Sequence, residues 1–241
     1  MPKKPLFYIT FFVLLIAGFW YFLFRDEDLT KSPLVVINAN IEDFSFTNQD
    51  GKPVTAKDVE GKVYVTNYFF TTCKGICPRM NTNMRRVYEA FKNEPGFMIL
   101  SHTCMPETDS VPLLKAYEAT MINGNLVANA DGSYRLDQAA SPVIVQNTNW
   151  AFLTGDKTAL YKMARQGYLI DNNKPDSMQN IADQFIHTQF FALVDKQRRL
   201  RGIYDGLKDN EIRKLLEDIN GLLKEKIDHP HFMNGFSNNP G

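Results

Sequence analysis

The chain has little of three things, and each shortage excludes a class. Only three cysteines occur in 241 residues, too few for a small secreted scaffold stapled by disulfides. No charge of either sign is in excess, since 27 Lys and Arg stand against 27 Asp and Glu. A nucleic-acid binder that works by displacing counterions needs a surplus of basic residues, so that class is set aside. Internal repeats are absent as well. With 44% hydrophobic and 22% charged residues, the chain as a whole is neither disordered nor of low complexity. What remains is one large domain or two small ones, long enough to bury a proper core.

Charge is missing locally from Leu6 to Phe24 (LFYITFFVLLIAGFWYFLF), a run of nineteen residues. At about 1.5 Å of rise per residue such a helix reaches roughly 30 Å, the thickness of a hydrocarbon core. A cleavable signal peptide has a shorter apolar core and small residues before the cut. This run instead ends in Phe19, Trp20, Tyr21, Phe22, Leu23 and Phe24, and no cysteine lies nearby to accept a lipid. Lys3 and Lys4 precede it and Arg25, Asp26, Glu27 and Asp28 follow. By the positive-inside rule the N-terminus is cytoplasmic. The expectation is a single-pass anchor in the inner (cytoplasmic) membrane, with the remaining domain on the periplasmic side.

The rest divides into a linker at 25–40, a domain at 41–227 and a flexible tail at 228–241, after the stub and anchor at 1–24. Asp43 to Thr55 reads as a hairpin with Gly51 where a positive φ costs least. Lys62 to Phe70 (KVYVTNYFF) has the β-branched and aromatic content of a strand buried on both faces. Met80, Met84, Val87, Tyr88 and Phe91 then recur at helical spacing, so both methionines read as core. Further strands are expected at Phe97–Leu100 and Trp150–Thr154, with helices at Val111–Met121 and Asp156–Arg165. A hairpin turns at Asp195, and Ile212 to Leu223 forms a last amphipathic helix. Residues from about 123 to 149 read as an irregular insertion with a small hairpin. The order predicts an α/β fold, a thioredoxin-like mixed sheet flanked by helices, behind one transmembrane helix.

Cys73 and Cys77 sit where the buried strand meets the amphipathic helix. The positive end of the helix dipole is expected to depress the pKa of at least one sulfur. Gly75 is expected to let the loop bend so that both sulfurs meet, with the i and i+4 positions sharing one helix face. Such a pair binds a soft metal or closes reversibly into a disulfide; the bland alternative is a permanent disulfide or two inert buried thiols. Three residues separate the cysteines, against two in a thioredoxin dithiol. Phe70 and Lys74 stand where a peroxiredoxin would have its Thr.

His187, entering the strand Thr188–Val194, is either a structural histidine or a third donor. Two thiolates and one imidazole would make a soft three-coordinate set suited to Cu(I), whereas zinc would want a fourth ligand.

The segments YFFTTCKGICPRMNTNM, SHTCMPETDSVPLLKAY, WAFLTGD, FIHTQFFALVD and RLRGIYDG together resemble the SCO/SenC family over about residues 41–225. That family comprises membrane-anchored, thioredoxin-like copper proteins tied to cytochrome c oxidase assembly. The resemblance implies that Cys73, Cys77 and His187 are copper ligands. It also implies a partner, the copper-centre subunit of a terminal oxidase or another cuproprotein. The expected function is a Cu(I) metallochaperone rather than an enzyme. The alternative is a thiol–disulfide oxidoreductase using Cys73 and Cys77 as its redox pair.

This chain departs from the family pattern in three places. Met105 stands before Pro106 where the family often has an acidic residue, Cys104 occupies a usually apolar position, and the stretch 123–149 is longer. Cys104 reads as a buried small hydrophobe or as a third thiol competing for the Cys73–Cys77 disulfide. His102 reads as a satisfied loop histidine. In the tail, His229, His231 and Met233 could catch Cu(II), or could be incidental.

Overall fold

The computed structural model describes residues 3–24, 34–130, 134–137, 146–147, 149–171 and 188–227. Two units are compact in themselves, Met1–Lys31 and Ser32–Gly241. The first contains helix α1, Lys3–Phe24, whose described side chains from Phe7 to Tyr21 are exposed. Among the described residues no helix is long and apolar enough to cross a membrane. The expected span at Leu6–Phe24 extends past both ends of those described side chains.

In the second unit β1 (Ser45–Asn48) pairs antiparallel with β2 (Pro53–Thr55), and Gly51 turns between them at φ 73°. β3 (Val63–Phe69) is buried along its whole length. Its alternation places Val63, Val65 and Phe69 in one core and Tyr64 and Tyr68 in the other. Helix α2 (Cys77–Phe91) follows, then β4 (Phe97–Thr103) and α3 (Val111–Asn123). The insertion contributes the small hairpin β5 (Asn125–Ala128) and β6 (Tyr134–Asp137). β7 (Trp150–Thr154), α4 (Lys157–Lys162), β8 (Phe190–Val194), β9 (Leu200–Asp205) and α5 (Asp209–Lys224) complete the order.

The seven-stranded sheet runs β2-β1-β7-β4-β3-β8-β9. Its centre is parallel, β3 on β4 and β4 on β7, and the strands outside it pair antiparallel. On one face the apolar stripe of α2 (Met80, Met84, Val87, Tyr88, Phe91) meets Ile212, Leu215, Ile219 and Leu222 of α5 and Leu114 of α3. On the other, Leu160 and Tyr161 of α4 cover Tyr64, Tyr68 and Leu100. Asp156 caps α4 by accepting from the Ala159 N–H at 2.8 Å. The helix then passes into a π turn at Met163–Gly167 that sequence periodicity did not anticipate.

β4 is longer than its apolar run. Ser101, His102 and Thr103 continue the ladder opposite Asn67, Tyr68 and Phe69. His102 is therefore a strand residue, not a loop one, and it is not satisfied. It is fully buried, stacked on Tyr68 with ring centroids 5.1 Å apart and edge-on to Phe46 at 5.3 Å. Among the described residues neither ring nitrogen has a hydrogen-bond partner. Burial alone pushes its pKa down from 6.5 to about 3, because a desolvated imidazolium has nothing to replace its water.

The sign of the consequence is set. Between about 6.5 and 3 the unfolded chain binds a proton that the folded chain refuses, so this contribution to stability is complete above that window and is lost as pH falls through it. Relative to His102→Phe, which keeps the stacked ring, the wild type should lose up to about 1.4 kcal/mol per pH unit there. Denaturant midpoints measured across that range test this; parallel pH profiles for the two proteins would contradict it.

Candidate metal and redox site

β3 leaves the sheet at Phe69 and enters a tight turn, in which the Cys73 N–H donates to the Phe70 carbonyl at 3.2 Å. Cys77 is the first residue of α2, and Pro78 follows where a missing N–H costs nothing. Cys73 therefore precedes the helix, and the turn brings it beside Cys77; the two do not share a helical face. Gly75 is not the hinge that was expected. It lacks a positive φ, and a Cβ there would meet open space. The two cysteines, Cys104 and Thr188 line one cavity of about 340 Å³ whose other walls include Tyr68, Phe69, Phe70 and Ile76. All three cysteines are free thiols, Cys73 half-buried and Cys77 and Cys104 buried.

Cys77 does not behave as the helix dipole alone would dictate. Cys77 is pushed up to about 12, first by burial and then by its hydrogen bond to Cys73 and the repulsion between the two sulfurs. The backbone N–H groups of Phe70 and Cys77 oppose this shift but do not reverse it. Burial also pushes Cys104 up strongly. Desolvation thus outweighs the dipole at Cys77, and burial holds that sulfur as a thiol.

The loop is held from beneath. Asp109, 1% exposed, accepts from Thr71 Oγ1 at 2.6 Å, from the Thr71 N–H at 3.3 Å and from Thr103 Oγ1. One carboxylate thereby ties the turn before Cys73 to the end of β4. A second buried chain runs from Trp150 Nε1 to Ser101 Oγ (2.8 Å) and from there to Asn67 Oδ1 (2.6 Å). Asn67 Nδ2 reaches Asn81 of α2 at 3.5 Å, and Asn81 donates to the Tyr117 hydroxyl. Burial pushes the Tyr117 hydroxyl up, and the Cys77 sulfur adds to that shift only once it is ionised. Sequence reasoning missed Asp109. Its one signal, an acidic residue just before the helix at Val111, reads as a cap, yet Ser110 holds the cap position and Asp109 turns inward.

His187 and the tail residues His229, His231 and Met233 lie outside the described residues. Thr188, which lines the cavity, is the next residue after His187 in the chain. Among the described residues no group of three or more His, Cys, Asp or Glu side chains is arranged to hold a metal ion. What the described part provides is two adjacent soft donors in an apolar recess at the C-terminal end of the parallel strands.

Asp109→Asn keeps the volume but turns an amide N–H₂ toward groups that donate. It should cost about 1–3 kcal/mol of stability and free the turn, so that Cys73 reacts faster with a thiol probe. Urea unfolding and labelling kinetics read both effects. Stability within about 0.5 kcal/mol of wild type, with unchanged labelling, would rule out the clamp.

The SCO1/SenC family pattern matches residues 37–224. The SCO1 protein homolog of Bacillus subtilis (strain 168) is 28% identical over 191 residues, 78% of this chain and 84% of that protein. Among solved structures, a SCO1/SenC family lipoprotein from Bacillus anthracis is similar at TM-score 0.58 and 27% identity, covering 78% of this chain and 97% of that one. BsSco, a member of the Sco family of cytochrome c oxidase assembly proteins in which a disulfide switch has been identified, is similar at TM-score 0.59 and 26% identity, covering 80% and 98%. Bradyrhizobium japonicum ScoI with copper bound shares the fold at TM-score 0.52 and 19% identity, covering 76% and 99%. On the sheet, the paired cysteines at its parallel edge and a match that spans most of its length, the chain belongs to the SCO1/SenC family.

Proposed function

We propose that this protein is a membrane-anchored copper metallochaperone that carries Cu(I) on Cys73, Cys77 and His187. The observation that carries the reading is the shared cavity. Cys73 and Cys77 stand side by side in an apolar recess, and Thr188, the chain neighbour of His187, lines the same recess. Two thiolates and an imidazole form a soft set of low coordination number, which favours Cu(I) as cargo. The relatives support the same cargo and destination, since one is a copper-bound ScoI and another a cytochrome c oxidase assembly protein. The recipient is then the copper-centre subunit of a terminal oxidase, reached by exchange of one thiolate ligand at a time. The apolar run at Leu6–Phe24 is proposed as a single inner-membrane span with the domain on the periplasmic side. Confining donor and acceptor to one surface raises their effective concentration.

Protonation is part of this chemistry. Burial holds Cys77 as a thiol up to about 12, so loading copper must expel its proton. Conditional copper affinity therefore rises with pH across the neutral range. A thiol–disulfide oxidoreductase is the second reading, and one observation favours it. The half-buried Cys73 is placed to attack a partner disulfide, and the buried Cys77 to resolve the mixed disulfide.

An anaerobic Cu(I) titration of the reduced full chain in detergent, against a chromophoric chelator, separates the two. One tight equivalent is expected, weakened at least tenfold, about 1.4 kcal/mol, in both His187→Ala and Cys73→Ser. Binding indifferent to His187 would remove it from the ligand set. Absence of copper binding, with reduction of a partner disulfide retained, would replace the chaperone by the oxidoreductase.

A further inference from the structure

Three thiols line one cavity, and the proposed function uses two of them. Cys104 follows β4, where its N–H and its Sγ both donate to the Phe69 carbonyl, at 2.9 and 3.2 Å. Phe69 is the last residue of β3, so the chain that leads into Cys73 and Cys77 departs from the residue that Cys104 holds. Exposure falls in sequence through the cavity: Cys73 is half-buried, Cys77 is 6% exposed and Cys104 2%. Of the lining side chains, only these three can exchange a sulfur–sulfur bond.

We propose that Cys104 is the inner member of a three-thiol disulfide relay. When Cys73 and Cys77 are joined, the Cys104 sulfur gives up its proton as it attacks Sγ of Cys77. The Cys73–Cys77 bond breaks, a Cys77–Cys104 bond forms, and Cys73 leaves as a thiolate that takes up the proton Cys104 gave up. No electrons are gained or lost in this step. The two-electron oxidation that made the first disulfide comes from a disulfide of a partner protein, itself reduced to a dithiol. The outcome moves the disulfide from the accessible mouth of the cavity to its buried end. Cys73 returns as a free thiol, while Cys77 is withheld from copper. The relay rests on the reading of Cys73 and Cys77 as the metal and redox pair, and adds to it a stored oxidised state.

Trypsin reports the connectivity directly, because cleavage at Lys62, Lys74, Arg79, Lys92 and Lys115 puts the three cysteines in separate peptides, 63–74, 75–79 and 93–115. The full chain in detergent is oxidised with diamide and sampled over ~minutes to hours, the range of uncatalysed disulfide rearrangement. Each sample is quenched in acid, alkylated with N-ethylmaleimide, digested and weighed. A link between 75–79 and 93–115 should grow as the link between 63–74 and 75–79 declines, and peptide 63–74 should become alkylated. In Cys73→Ser both remaining thiols should be lost to the same inner link. Persistence of the outer link alone, with 93–115 alkylated, or two surviving thiols in Cys73→Ser, would overturn the relay. Cu(I) binding is read on the same reduced wild-type preparation. Tight binding without the inner link refutes the relay alone, whereas the inner link without copper binding refutes the metal reading and leaves the relay standing.

Discussion

β3 and β4 run parallel with Phe69 opposite Thr103, and the ladder extends one step further when the Cys104 N–H donates to the Phe69 carbonyl. The arrangement of the site follows from that register. Parallel pairing makes both strands end at the same edge, so the turn carrying Cys73 and the residues from Thr103 to Asp109 emerge side by side. Asp109 can then hold Thr71 and Thr103 with one carboxylate. A register shifted by one residue would send the side chains of β4 to opposite faces, taking Ser101 away from Asn67 and His102 out of its aromatic box. The position of the cysteines is thus a property of the sheet's centre rather than of the turn alone.

Burial does opposite things to the groups around this edge. It holds His102 neutral by refusing it a proton, and it holds Cys77 neutral by refusing to let one go. Both follow from the same cost of placing an unpaired charge away from water. A recess that disfavours an isolated thiolate still accepts one paired with a cation. Under the proposed function, Cu(I) is that cation, and burial's resistance to ionising Cys77 would restrain stray chemistry there. Cys73, nearer the mouth, is the sulfur that a partner would meet first.

Much of the fold was legible because burial and periodicity agree. KVYVTNYFF reads as a central strand and lies between two cores, and the stripe from Met80 to Phe91 reads as one face of a helix and packs as one. The terminal hairpin and the short pairing inside the insertion were legible for the same reason. The misses share a cause. Ser101, His102 and Thr103 look like the start of a loop because polar residues suggest solvent, but their polarity is spent inside, on Asn67, on Asp109 and, for His102, on nothing. Asp109 carries no sequence mark of the clamp it forms. The helix dipole argument at Cys77 was sound locally and lost to desolvation, a term that depends on neighbours distant in sequence. The π turn at Met163–Gly167 carries no periodic signature at all.

Under the proposed function, copper is held by two cysteine sulfurs and one imidazole. The copper K-edge absorption spectrum of the Cu(I)-loaded full chain, taken beside that of His187→Ala, tests it most directly. Two sulfur scatterers and one nitrogen are expected, with outer-shell imidazole scattering that disappears in the variant. A copper ion surrounded by three sulfurs, with no imidazole signal and no change on replacing His187, would contradict it and place Cys104 in the ligand set instead.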